Sequence, residues 1–179
     1  MAKQEHMTSL SGGAMVNKAD PRLEFRGRLD SLCAYVIELQ ILGKRQGVIS
    51  LIEELEEVLG KLYDILLCEF TGKECGDLFL WGLNSDEIRE RSHHPERHLG
   101  LGHIKPHYTM GEISAGLNTL RAKIRETELS ACRAFTTSEQ AERPDILKAL
   151  NRLSSAAYVL TYKYLPDGYD KTISFSKTE

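Results

Sequence analysis

The stretch Val48-Ile49-Ser50-Leu51-Ile52-Glu53-Glu54-Leu55-Glu56-Glu57-Val58-Leu59-Gly60-Lys61-Leu62-Tyr63-Asp64-Ile65-Leu66 decides the fold class. Val48, Leu51, Ile52, Leu55, Val58, Leu59, Leu62, Ile65 and Leu66 recur by threes and fours, the period of an α-helix with one buried face. Glu53, Glu54, Glu56 and Glu57 fall on the other side and read as a solvated face.

The same period extends outward in both directions. Asp20-Pro21 is a helix start, with Asp as the cap and Pro at the first helical position. Leu29, Leu32, Cys33, Val36, Ile37 and Ile41 predict a helix over 22–42, punctuated by Gly43 and Gly47. Further long helices are predicted over 47–68, over 111–135 (Ile113, Leu117, Leu120, Ile124, Cys132) and over 145–164 (Ile146, Leu147, Leu150, Leu153, Ala157, Leu160). Asn84-Ser85-Asp86-Glu87 opens a short capped helix that ends near His94-Pro95. The stretch 71–84 is broken by Gly72, Gly76 and Gly82, and Leu78-Phe79-Leu80-Trp81 reads as a buried turn or a short helix. The first 20 residues read as loop, as does the Gly- and His-rich segment up to Pro106. The tail after Tyr169 is expected to fray. No segment alternates convincingly with period two. The expectation is an all-α protein, an antiparallel bundle of four to five helices over 21–165, with a flexible tail over 166–179.

Composition narrows the function classes. The 179 residues carry 23 Lys+Arg against 26 Asp+Glu, a formal net charge of -3, which argues against a nucleic-acid partner. No apolar run reaches the roughly 18–20 residues that a membrane span needs. No basic patch followed by an apolar stretch opens the chain, so no signal peptide is expected. Cys33, Cys68, Cys75 and Cys132 form no CxxC pair. They read as reduced thiols of a cytoplasmic protein rather than a zinc ribbon.

Three features exceed a generic bundle. Ser114, Asn118, Arg121, Arg125 and Glu128 step by four, three, four and three along one line of the longest helix. Such a line is ordinarily solvated, but two guanidinium groups one turn apart can also clamp a polyphosphate. Thr8-Ser9-Leu10-Ser11-Gly12-Gly13, followed by Lys18, offers the glycines, hydroxyls and point charge of a phosphate cradle, without a GxxxxGK[ST] motif. A flexible leader has the same composition. Third, His93, His94, His98, His103 and His107 cluster in sequence, which suggests a metal or acid–base role. Pro95, Gly100 and Gly102 leave their directions unset and no HExxH is present, so no closed metal site is expected.

These residues bring a family into view. The run from Thr8 through Pro21-Arg22, then Phe25-Arg26-Gly27-Arg28-Leu29-Asp30-Ser31-Leu32, resembles the start of the ATP:cob(I)alamin adenosyltransferases. Leu120-Arg121-Ala122-Lys123-Ile124-Arg125-Glu126-Thr127-Glu128 is similar to that family's arginine-bearing helix, and Leu150-Asn151-Arg152-Leu153-Ser154-Ser155 to its closing motif. Ser92-His93-His94-Pro95 and Arg143-Pro144-Asp145-Ile146-Leu147 look most like the ethanolamine-utilisation branch. The likeness runs from about Thr8 to Leu165. Met1 to His6 do not match the family's Thr-x-Thr-Gly-Asp-type loop, so that part of the ATP site is expected to be remodelled or truncated.

The resemblance implies a helix bundle that assembles as a homo-oligomer, commonly a trimer, with sites between subunits. It implies transfer of the 5′-deoxyadenosyl group of ATP to Co(I) of a reduced corrinoid such as cobalamin, with triphosphate released. Co(I) is itself a strong nucleophile, so the protein has chiefly to orient ATP and neutralise the leaving group. Carried over by motif, Thr8, Gly13 and Lys18, in an N-terminal nucleotide-binding loop over 1–20, hold phosphates. Arg125 faces the triphosphate with Mg²⁺ sharing the charge, and Glu128 and Asn151 position the nucleoside. Arg125 and Glu128 are the expected catalytic pair. Asp30 and Arg121 match positions that pair across the subunit interface. Leu99, Leu101, His103, Ile104 and His107 fall where the corrinoid-facing segment lies. A reductase partner and association with a bacterial microcompartment are further implications. The competing expectation is a non-catalytic helical protein that binds corrinoid or nucleotide and oligomerises.

Overall fold

Asp20 opens the first long helix: its carboxylate accepts from the Arg22 backbone N–H at 2.8 Å, and Pro21 occupies the first turn. This helix, α1 (Pro21–Gln46), runs past Gly43 and stops only at Gly47, which takes the left-handed conformation at φ 71°. Gly43 is therefore a packing residue rather than a stop. A Cβ there would stand 3.2 Å from Leu51 Cδ2 and 3.3 Å from Ile52 Cγ1 of the next helix. That helix, α2 (Ile49–Thr71), buries Leu51, Leu55, Val58, Leu59, Leu62 and Ile65, the stripe read from the sequence.

The computed structural model describes residues 4–10, 13, 15–138 and 140–173. After α2 come α3 (Ser85–His93), a one-turn α4 (Pro95–Leu99), a 3₁₀ turn over Tyr108–Met110, α5 (Gly111–Phe135) and α6 (Pro144–Lys163). α5 packs on α1 along one side and on α6 along the other, while α3 lies along α6. The core runs between these faces. Phe25 and Phe135, both almost fully buried, meet edge to face at 5.2 Å. The all-α bundle expectation holds.

Four local expectations are corrected. The N-terminal segment is not all loop: Met7–Ser9 (β1) pairs antiparallel with Met15–Asn17 (β2), with Met7 opposite Asn17. Positions 11, 12 and 14, within the expected cradle, lie outside the described residues. Phe79–Leu80 (β3) and Leu83–Asn84 (β4) form a hairpin, not a helix, because Trp81 (φ 55°) and Gly82 (φ 77°) both take positive φ, as tight two-residue hairpin turns require. Trp81 is held there by α2: its backbone N–H donates to Glu57 Oε2 at 2.8 Å and its indole N–H to the Glu54 carbonyl at 3.1 Å. Pro95, at the first position of α4, restarts a helix where loop was expected. Lastly, the chain does not fray at Tyr169. Lys105 N–H donates to Lys171 O at 3.0 Å and Ile173 N–H to His103 O at 2.7 Å, so the 171–173 segment is paired to 103–105. Residues 174–179 lie outside the described residues.

Candidate functional site

α5 sorts its charges by side. Toward α1, Glu126 accepts from Arg28 at 3.2 Å and Arg133 donates to Glu24 at 3.3 Å. Toward α6 the row found in the sequence divides. Ser114 is fully buried and donates to the Thr161 carbonyl at 3.2 Å, so it joins the two helices rather than facing a ligand. Asn118, Arg121 and Arg125 instead open onto a cleft of about 410 Å³, within the range of small-ligand pockets. Ser154, Ser155 and Tyr158 of α6 form its second side, His103 and Ile104 its third, and Ile173 and His93 its margins.

Among the described residues, neither Arg121 nor Arg125 has a carboxylate within salt-bridge distance. Arg121 donates only weakly to Asn118 Oδ1, at 3.4 Å, and lies 5.6 Å over the Tyr158 ring. On a merely solvated face Glu128, three residues from Arg125, would be its natural ion-pair partner. It goes elsewhere: Glu128 Oε1 accepts from Asn151 Nδ2 at 3.0 Å, and Asn151 Oδ1 accepts from Arg152 at 2.7 Å. The cleft therefore presents two cations without counter-charge, and beside them a carboxylate held by an amide. That arrangement suits a polyphosphate with a polar group at one end.

The other expected site residues are distributed. Thr8 lies on β1, Gly13 in the connection of the first hairpin and Lys18 just after β2; none of them lines the Arg125 cleft. Asp30 is exposed on α1 and has no ion pair within the chain among the described residues. Leu99 and Leu101 do not face the cleft. They pack with Ile104, Met110 and Tyr162 in a small second core, where the 99–110 segment buries its apolar groups against α6. His107 accepts from Thr109 N–H at 3.4 Å and caps the 3₁₀ turn. The histidine cluster disperses in space. His94 and His98 lie 3.9 and 3.6 Å from Glu90, His93 and His103 reach the cleft, and His107 stands apart. Among the described residues no three His, Cys, Asp or Glu side chains converge as a metal-ligand set.

Sequence reading missed Tyr158 and Tyr162. Both fall on the apolar stripe of α6, one turn apart, and look like core positions. In the structure their hydroxyls are 2.8 Å apart, and Tyr158 OH lies 3.1 Å from His103 Nδ1. The available signal was a pair of phenols at i, i+4 in an otherwise apolar stripe.

The family model for cobalamin adenosyltransferase matches residues 2–164. The corrinoid adenosyltransferase EutT of Escherichia coli strain K12 is 40% identical over 163 residues, covering 88% of this chain and 58% of that protein. The EutT of Salmonella typhimurium gives the same identity and coverage. The chain thus spans 58% of the length of the curated relatives it matches. Two variant forms of a PduO-type ATP:corrinoid adenosyltransferase from Lactobacillus reuteri, each complexed with cobalamin and ATP, share the fold. Their TM-scores are 0.67 and 0.69 at 20% and 18% identity, covering 94% and 96% of this chain and 96% of each of those chains. With the helix order, the arginine row and the family match in place, the chain belongs to the cobalamin adenosyltransferase family.

Proposed function

We propose that this chain transfers the 5′-deoxyadenosyl group of ATP to Co(I) of a reduced corrinoid, cobalamin or a near relative, and so acts as a transferase in ethanolamine utilisation. The observation that carries the proposal is the pair of guanidinium groups, Arg121 and Arg125, facing one cleft without a carboxylate partner beside the Glu128–Asn151 hydrogen bond. The names of the EutT relatives support the choice of substrate class.

In the transfer, the Co(I) electron pair would form the Co–C5′ bond while the C5′–O bond breaks, and triphosphate would leave with the electron pair of that broken bond. The chain's task is orientation and charge. Arg125 takes the developing negative charge of the leaving group. Glu128 and Asn151, fixed to each other at 3.0 Å, orient the nucleoside end. Mg²⁺ carried on the triphosphate would share its negative charge with Arg125. Ile104 and His103 are the cleft's corrinoid-side wall, backed by Leu99 and Leu101. His107 flanks that wall.

Thr8, Gly13 and Lys18 do not meet Arg125 within one chain, which favours a site completed by the hairpin of a second copy in a homo-oligomer, a trimer by preference. Asp30 and Arg121 would pair across that contact, which leaves Arg125 as the guanidinium group that faces the triphosphate. Asp30→Ala is then expected to shift the size-exclusion profile toward monomer at unchanged helix content. A wild-type profile with full activity removes Asp30 from the interface. A reductase must supply the reduced corrinoid, consistent with work in the cytoplasm or in a microcompartment.

The deciding assay incubates the protein with ATP, Mg²⁺ and chemically reduced cobalamin and measures adenosylcobalamin and triphosphate. Equal yields of both are expected. Binding of ATP or cobalamin without product would instead select the non-catalytic binding protein.

A further inference from the structure

The last turn of α2 and the connection after it bring two thiols together. Cys68 is half-buried in that last turn, and Gly72, at φ 72°, turns the chain back so that residues 73–75 return beside the helix. The Cys68 thiol donates to the Glu74 carbonyl at 3.6 Å, and the Cys75 thiol lies within hydrogen-bonding reach of it. Both are free cysteines.

One ion pair ties the two backbones in place. Arg143 donates to the Cys68 carbonyl at 3.2 Å, Asp145 accepts from the Cys75 N–H at 2.8 Å, and Arg143 and Asp145 hold each other through two hydrogen bonds. The brace engages the main chain of both cysteines and leaves their sulfur atoms side by side. The two sulfurs differ in access. Cys75 is buried, and burial pushes its thiol up to about 11 against the opposing pull of Lys61, so it stays protonated at neutral pH. Cys68 is the sulfur that a reagent in solution can reach.

We propose that Cys68 and Cys75 form a redox modification site, in which Cys68 exchanges with a small disulfide of the glutathione type and Cys75 resolves the product into an intrachain Cys68–Cys75 disulfide. In the first step the Cys68 thiolate attacks one sulfur of the small disulfide and expels the other half as a thiolate. In the second step Cys75 releases its proton to water and attacks Cys68 Sγ, and the second half leaves as a thiolate. Two electrons pass from the cysteines to the small disulfide, which departs as two thiols once both halves take up protons. The fold supplies the proximity that favours the second step over a lasting mixed disulfide. The exchange also removes the reachable sulfur from the path to irreversible oxidation. Cys75 lines the cavity beside the brace and not the Arg125 cleft, so the inference stands independently of the proposed function.

The test equilibrates the full chain with mixtures of reduced and oxidised glutathione in the absence of air, traps the free thiols and maps the peptides, both for the folded chain and in denaturing urea. A Cys68–Cys75 disulfide is expected in the folded chain, with an equilibrium constant at least roughly tenfold above that of the unfolded chain, a potential about 30 mV more reducing. Cys75→Ser, at unchanged helix content, should stop at a glutathione mixed disulfide on Cys68. An equal or lower constant in the folded chain overturns the inference. So does a Cys68 mixed disulfide that persists in the wild type, or a folded Cys75→Ser that takes up no glutathione at Cys68.

Discussion

The chain holds two regions rich in arginine and carboxylate, and they are built in opposite ways. At the start of α6, Arg143 donates to Asp145 Oδ1 and Oδ2 at 3.0 and 2.8 Å, to the Cys68 carbonyl at 3.2 Å and to the Lys73 carbonyl at 2.8 Å. Asp145 in turn accepts from Cys75 N–H at 2.8 Å. The two side chains are 16% and 10% exposed, so the pair is largely removed from water. A cavity of about 420 Å³ adjoins it, as large as the cleft, yet its lysine, Lys148, is already paired with Asp77 at 2.5 Å. Along α5 the reverse holds: Arg121 and Arg125 face their cleft with no carboxylate among the described residues within ion-pair distance. Cavity size therefore does not separate a brace from a binding site. Whether the charges already have partners does.

The contrast breaks most visibly at Arg143. Removing its guanidinium strands a mostly buried carboxylate and two carbonyls, at a cost of about 3 kcal/mol. Arg143→Ala should lower the denaturant midpoint by the corresponding amount, while the fraction that remains folded binds ATP normally. Loss of ATP affinity in that folded fraction would move the site to the wrong end of α6.

The acidic partner gives a pH signature. Burial pushes Asp145 up, but the Arg143 hydrogen bond and the Cys75 N–H outweigh it and hold the carboxyl at about 2, below its ordinary 3.8. A depressed acid stabilises the fold above its unfolded value. That contribution, about 2 kcal/mol, is complete above the ordinary value and fades as pH falls toward 2. Asp145→Asn should therefore be less stable than wild type at pH 7, with the gap closing in acid. A gap that stays constant with pH would mean that charge is not the cause.

At the cleft the expectation inverts. Arg125→Ala removes a group with no ion-pair partner among the described residues, so stability should hold within about 0.5 kcal/mol. ATP affinity should fall at least roughly tenfold, the effect of losing one charge-assisted contact to a phosphate. Unchanged ATP affinity in the folded variant excludes Arg125 as a phosphate ligand.

The helices were legible in the sequence because each presents a long apolar stripe, and the period accumulates over five or more turns. The hairpins were not. Two or three residues per strand are too few to show alternation, and Trp81 at φ 55° is a turn position held by Glu54 and Glu57, which are distant in sequence. Arg125, Glu128 and Asn151 could be found from motif and helical spacing. Leu99 and Leu101 were misplaced because their burial depends on Tyr162 and Met110, not on their own segment. Tyr158 and Tyr162 stayed hidden for the same reason: the partners of their hydroxyls lie on a loop more than 50 residues upstream in the chain, at His103 and Gly102.

The smallest expected effect sharpens the comparison most, because it concerns the residue next to Arg125. Glu126 is also charged and also on α5, but it points toward α1 and accepts from Arg28 at 3.2 Å. Both side chains are about half exposed, 47% for Arg28 and 59% for Glu126, so water screens the pair. Such pairs contribute about 0–1 kcal/mol and weaken with salt. Glu126→Ala should therefore shift the denaturant midpoint only slightly, with the shift disappearing in high salt, and leave ATP affinity unchanged. If charge anywhere on α5 governed nucleotide binding through long-range attraction, removing a negative residue one position from Arg125 would tighten ATP binding at low salt. Equal affinity in Glu126→Ala and wild type across a salt series, beside the loss in Arg125→Ala, assigns the effect to direct contact in the cleft. Tightened binding in Glu126→Ala would instead make the arginine row a diffuse electrostatic field.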